Sequence, residues 1–89
     1  MKFTLVYSRH SIEDLARLEK KIATRIIKKI GWFVEQKEPL TFAKALKPPF
    51  GDLYRFRFGD YRAIFELNSK GKIILLTILR IKHRKEVYE

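Results

Sequence analysis

Arginine recurs at positions 55, 57 and 62 in the stretch YRFRFGDYR, each time beside an aromatic residue, and a second polar cluster, KHRKEVY, runs from Lys82 to Tyr88. Planar guanidinium groups match phosphate oxygens and keep their charge. Imidazole is the side chain best suited to moving a proton near neutral pH. An aromatic ring can hold an unstacked base. Together these are the parts that RNA cleavage without a metal needs. Fixed cations stand where charge builds on the phosphate, and a proton carrier serves the 2′-hydroxyl or the 5′-oxygen. Arg55, Arg57 and Arg62 are candidates for the cations, His83 for the proton carrier with Arg84 in support, and Tyr88 for the base platform. Lys82, Lys85 and Arg80 add charge for an RNA strand. Taken singly, each residue also has a bland reading: a solvated strand face, a polar surface histidine, a tyrosine packing a tail against a sheet.

The elements around them must bring these groups together. Gly59-Asp60 is a two-residue hairpin signal between strands at 53–58 and 61–67. Such a loop fixes the register: Arg57 pairs with Arg62, Arg55 with Ile64, and Tyr54 with Phe65. One face then carries Tyr54, Phe56, Phe58, Tyr61, Ala63 and Phe65, which is a core face, and the other carries the arginines. Like charges directly opposed across strands cost up to about 1 kcal/mol, and an anion between them reverses the sign. A third strand, 73–82, follows the turn NSKGK and runs back antiparallel. Pairing near Leu67 and Ile73 would set Arg62 opposite about Ile78 and let the segment from Lys82 onward leave the sheet within reach of the arginine pair.

The remaining chain supplies a scaffold. Residues 2–7 alternate as a strand, with Phe3, Leu5 and Tyr7 on one side. Ser11 precedes IEDLARL with Asp14 three residues on, a weak capping-box signal for a short first helix. Ile22, Ala23, Ile26, Ile27, Ile30, Phe33 and Val34 recur at helical spacing, with Lys21, Arg25, Lys28 and Lys29 largely opposite. The apolar register breaks at Glu19 and Lys20, which predicts a helix–helix turn; a single bent helix is the alternative. Residues 37–52 read mostly as loop, because Pro48 and Pro49 stop any helix begun at LTFAKAL. The expectation is an α+β fold, one domain over 1–89, in the order β-α-α-β-β-β: a helical hairpin on a mainly antiparallel, twisted four-stranded sheet.

Charge narrows the partners. Among 89 residues, 20 are lysine or arginine and 10 are acidic, a formal net charge of +10. A domain this small must present a dense positive surface, which suits a polyanion: nucleic acid, an acidic protein or an anionic membrane. There is no cysteine, so disulfides and thiolate metal sites are excluded, and His10 and His83 are too few for a zinc site without carboxylates. No cofactor is expected. MKFTLVYSRH holds no apolar core of signal-peptide length, and IILLTIL is far short of a membrane span. A soluble cytoplasmic protein is the expectation.

LYRFRFGDYRAIFEL, followed by a hydrophobic strand and HRKEVY, resembles the RelE/ParE superfamily of toxins, closest to its RelE side. The resemblance covers nearly the whole chain. It implies a toxin of a type II toxin–antitoxin system that cuts mRNA in the ribosomal A site, by 2′-hydroxyl attack leaving a 2′,3′-cyclic phosphate, without metal. It also implies an acidic cognate antitoxin that forms a hetero-oligomer with the toxin. By this likeness Arg55 and Arg57 stabilise the phosphate, Arg62 clamps it, and Tyr88 stacks on a nucleotide. Some family members use one of the strand cations as a base, a role an arginine at 55 fills poorly because its pKa stays above about 12. His83 takes the acid or base role beside Lys82 and Arg84. ParE-type relatives share the scaffold and target DNA gyrase, and an inactive RNA-binding relative is a further alternative.

Overall fold

A computed structural model describes residues 2–47, Pro49 and 51–87. Strand β1 (Lys2–Tyr7) leads into helices α1 (Arg9–Ala16) and α2 (Lys20–Glu35). A 3-10 turn at Pro39–Phe42 precedes β2 (Ala43–Ala45), and β3 (Tyr54–Phe58), β4 (Tyr61–Lys70) and β5 (Ile73–His83) follow. A second 3-10 turn, η2, covers Arg84–Glu86. The sheet order is β1-β5-β4-β3-β2, with β1 parallel to β5 and the other pairs antiparallel.

The predicted α+β architecture is present with five strands instead of four. The extra strand, β2, is three residues long and pairs with β3 through Ala43–Phe56, Lys44–Arg55 and Ala45–Tyr54. So short a strand carries no alternation to read. The helices are two, not one bent element, and the break falls at 17–19.

Helix α1 begins earlier than its expected signal. Ser8, not Ser11, is its N-cap: the Ser8 hydroxyl accepts the Ser11 N–H at 3.1 Å and donates to the Leu79 carbonyl at 2.9 Å. Ser11 is itself buried and donates to the Ser8 carbonyl at 2.8 Å. Asp14 closes no capping box. It caps the edge of β5 beyond the end of β1, accepting the Ile81 N–H at 2.9 Å.

The core lies between α2 and the helix-facing side of the sheet. Ile26, Ile30 and Phe33 of α2 meet Phe56, Ala63, Phe65, Leu76 and Ile78. The rings of Phe33 and Phe56 are 4.8 Å apart and those of Phe56 and Phe65 are 4.4 Å apart. Each such side chain stabilises the fold by about 1.5–3 kcal/mol through burial. The face that carries the arginines is turned away from this core.

One register differs from expectation in a way that matters. Strand β4 continues to Lys70, and the chain reverses at Gly71, whose φ is +60°. The β4–β5 pairing therefore starts at Lys70–Ile73 and slips at a bulge between Ile64 and Phe65. Arg62 sits opposite Lys82, not Ile78. The polar run NSK lacks apolar residues and so predicts a turn, yet it forms solvent-facing strand.

Candidate active site

The β3–β4 hairpin has the expected register, with Arg57 opposite Arg62 and Arg55 opposite Ile64. Its turn works because Gly59 takes φ +56° while Asp60 does not have a positive φ, the pattern of a type II′ turn. Combining the pairings gives two ranks of side chains on the outer face. Arg57, Arg62 and Lys82 line up across β3, β4 and β5; Lys44, Arg55, Ile64 and Arg80 line up in the next rank across β2 to β5. A rank of three cations on neighbouring strands concentrates positive potential where a phosphate could lie.

The ranks are not uniform. Arg62 is 4% exposed and Arg55 is 8% exposed, whereas Arg57 is exposed. The Arg62 Nη1 donates to the Gly59 carbonyl at 2.8 Å and the Tyr61 carbonyl at 3.0 Å, so the guanidinium is hooked onto the hairpin turn. It is a held group and not a waving one. Arg80 is engaged elsewhere: its Nε and Nη2 donate to the two oxygens of Asp14 at 2.8 and 3.1 Å. Burial pushes the Asp14 pKa up, but the Arg80 hydrogen bond, the Ile81 N–H and the charges of Arg80 and Lys82 outweigh it, and the net shift is downward. The same partnership holds the Arg80 guanidinium above its ordinary pKa. Arg80 thus fixes α1 to β5.

The tail is anchored to the turn. The Arg84 N–H donates to the Asp60 carbonyl at 2.7 Å, and Arg84 Nε lies 3.5 Å from the Asp60 carboxylate. Asp60, read in the sequence only as a turn residue, is therefore the tether between the hairpin and η2. His83 caps η2: its Nδ1 accepts the Lys85 N–H at 3.2 Å, and Glu86 accepts the His83 N–H at 3.1 Å. That bond places the proton of the neutral ring on Nε2. Lys82 lies 3.8 Å from Glu86. Lys85 is exposed.

Strand alternation separates two groups that were expected to converge. Lys82 shares the arginine face, but the neighbouring His83 pairs with Tyr61 and meets its ring edge-on at 5.5 Å, on the side of the helices. Tyr88 lies outside the described residues.

Behind the hairpin, α2 and the β3–β4 turn enclose a groove of about 890 Å³ whose walls include Arg25, Lys28, Lys29, Trp32, Arg57 and Tyr61. The sequence showed these lysines only as the polar side of a helix; it could not show that the hairpin turn faces them.

Residues 5–88 match the family described as ParE toxin of type II toxin-antitoxin system, parDE. The chain belongs to this family. Within the wider RelE/ParE group it is similar to Toxin RelG of Mycobacterium tuberculosis, 24% identical over 88 residues that cover 99% of this chain and 98% of that one. The fold resembles that in the toxin–antitoxin complex RelBE2 from Mycobacterium tuberculosis, with TM-score 0.72 and 22% identity over 94% of this chain and 100% of the other. It also resembles that in the archaeal RelE–RelB complex from Pyrococcus horikoshii, with TM-score 0.62 and 27% identity over 94% and 97% of the two chains. This ParE-family chain is thus a toxin of a type II toxin–antitoxin system. Among its described residues no helix is long and apolar enough to cross a membrane, and no cluster of His, Cys, Asp and Glu could hold a metal ion.

Proposed function

We propose that this toxin is a ribosome-dependent endoribonuclease that cuts mRNA in the A site. The observation that carries the reading is the rank Arg57–Arg62–Lys82, with Arg55 in the rank beside it. In the reaction the 2′-oxygen attacks the adjacent phosphorus and loses its proton. The bond to the 5′-oxygen breaks, that oxygen gains a proton, and a 2′,3′-cyclic phosphate remains. Negative charge rises on the non-bridging oxygens of the phosphorane. Arg62, held by its turn carbonyls, stabilises that charge together with Arg57 and Lys82 beside it.

His83 is the proposed proton carrier. Because its ring stands against Tyr61 on the helix side, service at the Arg57–Arg62–Lys82 rank requires the segment after Lys82 to swing the ring past the sheet edge. As an acid the ring carries a hydrogen on both nitrogens, so Nδ1 can no longer accept the Lys85 N–H; donation from Nε2 then leaves a neutral ring protonated on Nδ1. Proton transfer is thereby coupled to loosening of η2. Arg84 and Lys85 supply charge near the leaving group, Tyr88 a base platform, and Arg80 contributes through the fold. The physiological partner is an acidic antitoxin that covers the cationic face in a hetero-oligomer in the cytoplasm.

The family description favours one other reading, a ParE-like toxin that inhibits DNA gyrase by binding it. Translation in a purified system, with mRNA ends mapped, separates the two. The ribonuclease reading expects new 5′ ends at A-site codons and cyclic phosphates opposite them. Intact mRNA, with DNA cleavage complexes accumulating in treated cells, overturns it. In the same assay His83→Ala should keep ribosome binding and lose about 10²–10⁴-fold in cleavage rate.

A further inference from the structure

The groove between α2 and the β3–β4 turn is not required by the chemistry at the arginine rank, yet it is built of nucleic-acid-binding parts. Arg25, Lys28, Lys29 and Arg57 line it with Trp32 and Tyr61. Among the described residues no carboxylate lies within 4.0 Å of any of those four cations. The acid in the wall, Asp60, is already turned to Arg84 at 3.5 Å. The groove therefore has an unbalanced positive charge.

Its aromatic component is equally specific. Trp32 is 46% exposed, although large apolar rings usually bury. Its ring is held edge-to-face by Phe33 at 5.7 Å and Phe42 at 5.3 Å, and the Lys29 ammonium lies 4.8 Å from its centre. A pinned, exposed indole beside several cations is the combination that binds single-stranded nucleic acid, bases on rings and phosphates on charges. A purely acidic segment would satisfy the cations but carries no flat ring to stack on the indole, whereas every base of a nucleic acid has one. Continuity gives the direction. Arg57 both lines the groove and stands opposite Arg62, so a strand rounding the hairpin edge passes from one side of the sheet to the other at that residue.

We propose that this groove is a second RNA-binding site, which holds unpaired nucleotides adjoining the cleaved phosphate, with bases against Trp32 and Tyr61 and phosphates on Arg25, Lys28 and Lys29. The proposal rests on the ribonuclease reading for the identity of its RNA, but its test does not depend on cleavage.

Trp32 is the only tryptophan, so its emission reports the groove directly. The wild-type chain, co-expressed with its antitoxin, separated from it in denaturant and refolded, is titrated with an oligouridylate of about eight nucleotides, within the span that single-strand sites cover. Saturable quenching of Trp32 is expected. The double variant Lys28→Glu, Lys29→Glu should bind labelled RNA at least tenfold more weakly. Its plot of log affinity against log salt should flatten by about 1.4, at about 0.7 per lost phosphate contact. Trp32→Leu should weaken binding about tenfold, by anisotropy of the labelled RNA. RNA binding with unchanged Trp32 emission, or wild-type affinity in the double variant, overturns the proposal. So does polyglutamate of equal charge that quenches and competes as well as RNA, which would assign the groove to an acidic protein. Cleavage with no groove binding sinks only this inference; groove binding with no cleavage sinks only the ribonuclease reading.

Discussion

Arginine does two different jobs at two places on this sheet. At the junction of α1 and β5, Arg80 meets Asp14 in a two-pronged ion pair, and the carboxylate also takes the Ile81 N–H. Every charge there has a counterpart, and the site ties a helix to a strand. At the β3–β4 hairpin, Arg57 stands opposite Arg62, which in turn stands opposite Lys82. Cations face cations, and Arg62 is held by carbonyl dipoles at its own turn. Lys82 is also 3.8 Å from Glu86, so the rank is a row of neighbouring cations and not a row of unpaired ones. The first, matched site ties helix to strand, and the second, mismatched one sets three cations side by side on neighbouring strands.

The largest effect should come from the mismatched site. Arg62→Ala removes a fixed cation from the place where phosphorane charge develops. Loss of one such preorganised donor lowers a rate by about 10²–10³-fold. Arg62→Lys should recover only part of this, because an ammonium cannot span the two turn carbonyls and the phosphate as a planar fork does. Cleavage rates in single-turnover translation assays, with ribosome binding measured in parallel, would check this. A wild-type rate for Arg62→Ala would mean that the rank is not where the phosphate sits.

The matched site should answer in stability and not in rate. The Asp14 side chain is 9% exposed. Asp14→Ala leaves the Ile81 N–H unsatisfied and Arg80 without its partner, a loss of about 2–3 kcal/mol. Asp14→Asn keeps an acceptor and should lose less. The downward pKa shift adds a pH signature. The unfolded chain protonates Asp14 near pH 4, above the folded pKa. Its stabilisation is therefore complete above about pH 4 and fades as the pH falls through the lower folded value. Urea midpoints at pH 6 and pH 3 should show a larger drop for the wild-type chain than for Asp14→Asn, and equal drops would assign the acid sensitivity elsewhere.

The contrast between the two sites was half legible in the sequence. The arginine pairing followed from two residues, Gly59 and Asp60, because a two-residue turn leaves a single register. The core face, the two helices and the α+β class followed from periodicity. Lys82 opposite Arg62 was not legible: it depends on where β4 ends, and Asn68–Lys70 is polar strand whose pairing with β5 only tertiary structure decides. The Asp14–Arg80 pair spans 66 positions and gives no local signal. The local pattern instead pairs Asp14 with Ser11 in a capping box, whereas Ser8 supplies the cap. The groove escaped for the same reason, since its walls come from α2 and a distant turn.

The smallest expected effect is also the most direct test of the comparison. Arg57→Glu turns the mismatched pair into a matched one, a carboxylate opposite Arg62 on the sheet surface. Opposite charges across strands stabilise by about 0.2–1 kcal/mol, and replacing a like pair gains a similar amount. Arg57 is exposed, so solvent holds the gain to the low end. The urea midpoint should rise slightly, and the rise should shrink as salt is added, because the interaction is solvated. Cleavage should fall at the same time, because the new carboxylate repels the phosphate that the arginine attracted. A variant that becomes more stable and less active separates what the fold prefers from what the function requires. If Arg57→Glu instead lowers stability, the arginine pair already has the surroundings it needs without an anion, and the mismatch is no mark of function.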